Sequence, residues 1–286
     1  MTLIITLSSS TLRYWNMSLF ERISNIFHRK HGIESQPQPP LHPQLDEDIR
    51  RMAYSFHFPL KYMMTPAFRM KDNYISPHEK HSVIISSCYI IFLAILCLYL
   101  TSTETEPADD MNEIEVAFLN LSLKCYFVTY LTSVLMIFLT SIVHSNNTVS
   151  LILKIQAIHR TIYTSNSIKS YITWNWILIG SLFVLNTIIN VLFYASDYED
   201  KINDVCEMIF DFLIIVPDVN SLIAVRIMVL LKRYIDRWIE DVLELNNNEQ
   251  EDENECQKLL DVYRNILASY DLYKRVFQVL ILYIFF

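Results

Sequence analysis

Asp211 and Asp218 lie two helical turns apart in a mostly apolar stretch, Met208 to Leu231. On a helix that spacing puts both carboxylates on one face. Pro217, next to Asp218, frees the carbonyl of Leu213 and is expected to kink the helix. A kinked, carboxylate-lined face can form one wall of a ligand cavity. The competing use of Asp218 is an ion pair with a donor on another helix, such as Lys124. Asn186 and Asn190, four residues apart, form a second polar pair; they are pocket candidates too, with interhelical hydrogen bonding as the alternative. Two further charges interrupt apolar sequence. Lys124 can snorkel toward Glu113 and Glu115, and Arg226 lies near the inner end of its stretch.

No catalytic constellation accompanies these residues. The two glycines, Gly32 and Gly180, are too far apart for a phosphate loop, a dinucleotide-binding turn or a nucleophile elbow. His28/His31 and His78/His81 are spaced HxxH without a helix-aligned i, i+4 partner, so no metal is expected. The five cysteines form no CxxC pattern and suit buried apolar thiols. No cofactor is implied and the chain is not expected to be an enzyme. A formal charge of -8 argues against a nucleic-acid partner.

A hydrophobic content of 52% points to lipid as the solvent and places these residues on membrane-spanning helices. Four stretches, Ser82 to Leu100, Ala117 to Val143, Ile172 to Tyr194 and Met208 to Leu231, each approach the roughly 20 residues a helix needs to cross. "VFQVLILYIFF", 276–286, reads as the start of a fifth. The links alternate in sign. The first carries Glu104, Glu106, Asp109, Asp110, Glu113 and Glu115 with no base; the second, His144 to Tyr171, carries Lys154, Arg160 and Lys169 with no acid. The third is again acidic, and Lys232, Arg233 and Arg237 follow the fourth span. Basic flanks stay in the cytoplasm, so the N-terminus, the second link and the fourth link are expected inside. Asn16 and Asn146, in glycosylation sequences, should then be unmodified. Trp174 and Trp176 suit an inner aromatic belt.

The expected fold is all-α, a polytopic membrane helix bundle with four complete spans. A cytosolic tail, 1–52, contains the Pro/Gln-rich tether "ESQPQPPLHPQ" and is read as partly disordered. A juxtamembrane segment, 53–80, suits the lipid interface. The bundle covers 81–231, a cytoplasmic amphipathic hairpin 232–275, and an incomplete fifth span 276–286. In the hairpin, Leu231, Tyr234, Trp238, Val242 and Leu245 recur at helical spacing. Leu259, Tyr263, Ile266, Tyr270, Tyr273, Phe277 and Leu280 form a coiled-coil-like seam. Such a seam is open to partners in other subunits as well as to packing within its own chain.

Cytosolic N-terminus, short acidic outer links and a cytoplasmic helical hairpin resemble the insect gustatory receptors, part of the chemoreceptor superfamily shared with insect odorant receptors. "SCYIIFLAILCLYL", "FPLKYMMTPAFRMKD" and "LLDVYRNILASYDLYKRVFQVLILYIFF" carry the likeness. The Thr-Tyr and Gln-Phe pattern of that family's seventh span is absent. The resemblance implies a plasma-membrane, multi-pass subunit of a ligand-gated cation channel for a small-molecule tastant, embedded in membrane lipid. It also implies assembly as a homo- or hetero-oligomer, a tetramer, through the cytoplasmic helices, with Leu259, Tyr263, Ile266, Tyr270 and Tyr273 as assembly candidates. It would make this chain a fragment that stops before the pore-lining span. The alternative is a short multispan accessory or dominant-negative partner of a receptor channel.

Overall fold

The computed structural model describes residues 44–77, 80–102, 112–162, 165–194, 206, 208–211, 215–247 and 253–285. The tether, most of the acidic links, His28, His31, His78, Asn16 and the turn 248–252 lie outside them, as does Leu213, where Pro217 was expected to break the hydrogen-bond ladder. In chain order come helix α1 (Glu47–Tyr62), strands β1 (Arg69–Lys71) and β2 (Tyr74–Ser76), and helices α2 (Lys80–Ser102), α3 (Glu113–Val143), α4 (Ser145–Thr161), α5 (Ser165–Tyr194), α6 (Ile215–Asn247) and α7 (Glu253–Phe285). Four helical stretches, Lys80–Ser102, Ile114–Val143, Ile168–Leu192 and Met208–Leu245, are long and apolar enough to cross a membrane. The all-α membrane bundle read from the sequence is therefore the architecture observed. At 33 residues α6 is about 50 Å long, well over the roughly 30 Å of hydrocarbon it must cross. Its surplus is the first arm of the hairpin.

The juxtamembrane segment is a helix followed by a β-hairpin. Its helix begins at Glu47, ahead of the expected boundary, and buries Ile49, Met52, Ala53, Phe56 and Leu60 along one face. That 3/4 spacing turns an apolar stripe onto α5 and α6. The outer face keeps Tyr54, Phe58 and Tyr62 exposed, and Tyr54 and Phe58 cluster with Trp176 at ring separations of 6.3 and 5.8 Å. After α1 comes a β-hairpin whose two-residue turn, Asp72-Asn73, has φ of 49° and 72°. Both central residues left-handed is the type I′ geometry that matches strand twist, and Asp and Asn tolerate it better than most residues. The Asn73 carbonyl accepts from the Leu45 N–H at 2.7 Å, which ties the hairpin back to the start of α1.

The basic link between the second and third spans is a helix rather than a loop. Only His144 separates α3 from α4, and the Thr148 hydroxyl donates to its carbonyl at 3.1 Å. Leu151, Ile155 and Ile158 are almost fully buried, with Val149, Ile152 and Leu153 close behind. A helix apolar on nearly every side is an interior helix. Its 17 residues reach about 25 Å, too short to span the hydrocarbon, so the burial comes from protein. Most of it comes from α7, with α1, β2, α3 and α6 also in contact.

This wedge rotates the seam of α7. The line of contact runs through Val262, Ile266, Ser269, Tyr273 and Val276, all buried, with Phe277 beside it. Leu259 and Tyr263 sit half-buried at the edge, and Tyr270 is 42% exposed. Periodicity in one sequence reports a period well and a phase poorly, because a second neighbour on one side shifts which face is covered. Trp238 closes the hairpin: its indole N–H donates to the Leu259 carbonyl at 2.8 Å and its ring stacks on Tyr263 at 4.9 Å.

Candidate functional site

The four ligand-pocket candidates divide between two helices. Asp211 and Asp218 flank the start of α6, with Asp218 exposed and Asp211 half-buried. Tyr126 of α3 lies within electrostatic reach of both carboxylates. Lys124 and Asp218 form no ion pair among the described residues, so the pairing that would have made Asp218 purely structural is not made. On α5, Asn190 is buried and the Asn186 amide nitrogen is buried with no hydrogen-bond partner among the described residues. Interhelical bonding does not account for that nitrogen. A buried amide donor left unpaired costs about 1–3 kcal/mol, so it is an open position for an acceptor.

Sequence reading missed a second polar site, at the other end of the same two helices. Arg226 does not reach out of the bundle as expected of a snorkelling side chain. Its Nε donates to Asn175 Oδ1 at 2.6 Å and a terminal nitrogen donates to the Tyr171 carbonyl at 3.3 Å. The Tyr171 hydroxyl donates in return to the Arg226 carbonyl at 2.5 Å. Asn175, completely buried, passes the chain on: its amide nitrogen donates to Ser55 Oγ on α1 at 3.3 Å, and Ser55 donates to the Met52 carbonyl at 2.7 Å. The Arg226 guanidinium also lies 4.4 Å from the Tyr171 ring centroid, a cation–π distance. Inward bonding wins because Asn175 and Tyr171 offer oxygen acceptors at close range, whereas snorkelling leaves those acceptors unsatisfied. The only hint in the sequence was an asparagine between Trp174 and Trp176, and nothing there linked it to a residue 51 positions away.

One end of the bundle also gathers α1, α4 and the hairpin. Arg160 of α4 holds both oxygens of Asp46 at 2.7 Å, while Gln156 donates to the Gln44 carbonyl at 2.9 Å and accepts from the Asp46 N–H at 3.3 Å. The hydrogen bond from Arg160 keeps the Asp46 carboxyl below its ordinary range. Burial pushes His159 below its ordinary value, against the opposing pull of Asp48 and Asp46. Its Nδ1 faces the Tyr234 hydroxyl at 3.4 Å. Lys154 donates to Asn265 of α7 at 2.9 Å. The second link therefore packs against both α1 and the second arm of the hairpin.

An apolar cavity lies between these parts. Its volume is about 60 Å³ and it is lined by Met52 and Phe56 of α1, Ile137 of α3, Ile155 of α4, Ile223 of α6 and Phe277 of α7, among others. Its polar lining is largely spent inside its own helices: Ser133, Ser141, Thr148 and Asn220 donate to backbone carbonyls three or four residues back. None of Asp211, Asp218, Asn186 or Asn190 lines it. Polar candidates and apolar cavity are separate features. Among the described residues no group of histidine, cysteine and acidic side chains could hold a metal ion.

Apolar spans, a buried polar relay near one end and a helical hairpin beyond them define a polytopic α-helical membrane protein. The chain belongs to the seven-transmembrane chemosensory receptor family: the family model described as "7tm Chemosensory receptor" matches residues 78–286, well over half of its length. That match agrees with the likeness to insect gustatory and odorant receptors. No curated protein and no solved structure matches the chain.

Proposed function

We propose that the chain works as a gustatory-type subunit of a ligand-gated cation channel in the plasma membrane, opened by a small-molecule tastant and assembled with other subunits through its hairpin. The match of a chemosensory receptor model to the spans and hairpin together carries this reading. Asp218, exposed and without an ion pair, and the unpaired amide of Asn186 are the groups this reading assigns to ligand contact on the outer side. Leu259, Tyr263 and Tyr270, at the edge of the intrachain contact or outside it, are the assigned positions for subunit contact.

Electrophysiology tests it. Cells expressing the open reading frame that contains this sequence should pass a cation current when a panel of sugars and bitter alkaloids is applied outside. Asp218→Asn should then raise the half-maximal concentration of the active compound about tenfold, the size of roughly 1.4 kcal/mol. Surface-delivered protein that stays silent across the panel overturns the reading. If it then co-purifies with another receptor channel and lowers that channel's current, the accessory-partner reading replaces it.

A further inference from the structure

We infer that the basic end of α6 holds a zwitterionic phosphodiester headgroup, one carrying a phosphate and an ammonium two carbons away. The site is a pocket of about 360 Å³ where the hairpin-side ends of α5 and α6 meet the C-terminal turn of α4. Tyr171, His159, Tyr234, Arg233 and Asp236 line it.

Two observations favour an anion. Arg226 and Arg233 bring their guanidinium groups to 4.4 and 5.6 Å from the centroid of one ring, Tyr171. Neither has a carboxylate partner among the described residues: Arg226 bonds to two neutral oxygens, and no ion pair includes Arg233. Two like charges on one aromatic ring repel each other, and the ring quadrupole offsets only part of that cost. A phosphate in the pocket meets Arg233, which can donate in the fork geometry that suits phosphate oxygens, and its charge also offsets Arg226 across the Tyr171 ring.

A third observation separates a zwitterion from a plain anion. Asp236 lines the same pocket one helical turn beyond Arg233 and also forms no ion pair among the described residues. The remaining charges at the rim are accounted for, since Arg237 bonds to Glu240 and Asp241 at 3.0 Å each. An anionic headgroup would meet Arg233 and be repelled by Asp236, whereas a phosphoethanolamine or phosphocholine group satisfies both. The position suits a lipid source. Trp174, Trp176, Tyr54 and Phe58 remain exposed at the same end of the bundle, the pattern of side chains that sit at headgroup depth.

The test is native mass spectrometry of the full chain in detergent, titrated with dioleoylphosphatidylethanolamine or dioleoylphosphatidylglycerol. Wild type should retain the ethanolamine lipid in preference. Arg233→Gln should weaken that retention about fivefold, the scale of one charge-assisted hydrogen bond in partial solvent. Asp236→Asn should erase the preference by letting the glycerol lipid bind as well. Circular dichroism checks that both variants keep their helix content. Soluble glycerophosphoethanolamine separates the sources: thermal stabilisation by it assigns a free headgroup, and stabilisation by the lipid alone assigns the bilayer. Equal or greater retention of the glycerol lipid by wild type, or unchanged ethanolamine-lipid binding in folded Arg233→Gln, overturns the inference. The test is independent of tastant response, so it can fail or succeed without touching the receptor reading.

Discussion

The two ends of the span bundle are built on different principles. Toward the acidic links, α5 exposes Val184, Leu185, Ile188, Ile189, Val191 and Leu192, and it is the least buried of the four spans. There the Asn186 amide nitrogen has no hydrogen-bond partner and Asp218 forms no ion pair among the described residues. Toward the hairpin, Asn175, Tyr171 and Arg226 satisfy one another across two helices and reach a third through Ser55. In lipid no hydrophobic force draws helices together, so specific packing and hydrogen bonds decide where they associate. The hairpin end is where this chain invests them.

Core truncation should break the symmetry most strongly. Ile155→Ala, at the contact of α4 with α7, is expected to cost about 2–5 kcal/mol, while Ile189→Ala on the exposed side of α5 should change stability by less than about 0.5 kcal/mol. Thermal unfolding of the two variants in detergent, followed by tryptophan fluorescence, compares them directly; equal losses would erase the distinction between the ends.

The two asparagines sharpen it next. Asn175→Leu removes the acceptor for Arg226 and should cost about 1–3 kcal/mol, whereas Asn186→Leu removes a donor that has no partner and should be neutral or stabilising. A destabilised Asn186→Leu, measured in the same assay, would mean that its amide is structurally engaged after all.

Acid should act on the hairpin end through His159. Burial lowers its folded pKa below the ordinary 6.5, so the unfolded chain binds the proton more readily. The stability it contributes is complete above 6.5 and is lost as pH falls below it. Asp46, whose folded pKa is lowered from 3.8, adds a separate loss only as pH falls below that value. His159→Phe should flatten the first limb of a stability–pH curve and leave the second in place. The smallest effect belongs to Arg160→Ala: with the pair about half exposed, the loss should be about 0.2–1 kcal/mol, and it should shrink further in high salt.

What was legible in the residues follows one physical distinction. The spans from Ser82, Ala117, Ile172 and Met208 announce themselves because crossing lipid demands length and continuous apolarity, which are properties of a local segment. The helix α4 was not legible, because its apolar run is too short for a span and carries three cations' worth of loop-like signal in its surroundings.

The sequence by itself determined the class of the protein, the positions of its spans and the identity of the polar residues within them. Only the tertiary structure decided what those residues meet. It turned Arg226 inward to Asn175, left Asp218 without Lys124, moved the α7 contact from Tyr263 and Tyr270 to Val262 and Ser269, and placed two guanidinium groups on Tyr171. Local pattern sets how a helix forms and whether lipid accepts it. Partners 50 or more residues away are chosen by how the helices pack, and no local signal encodes that choice.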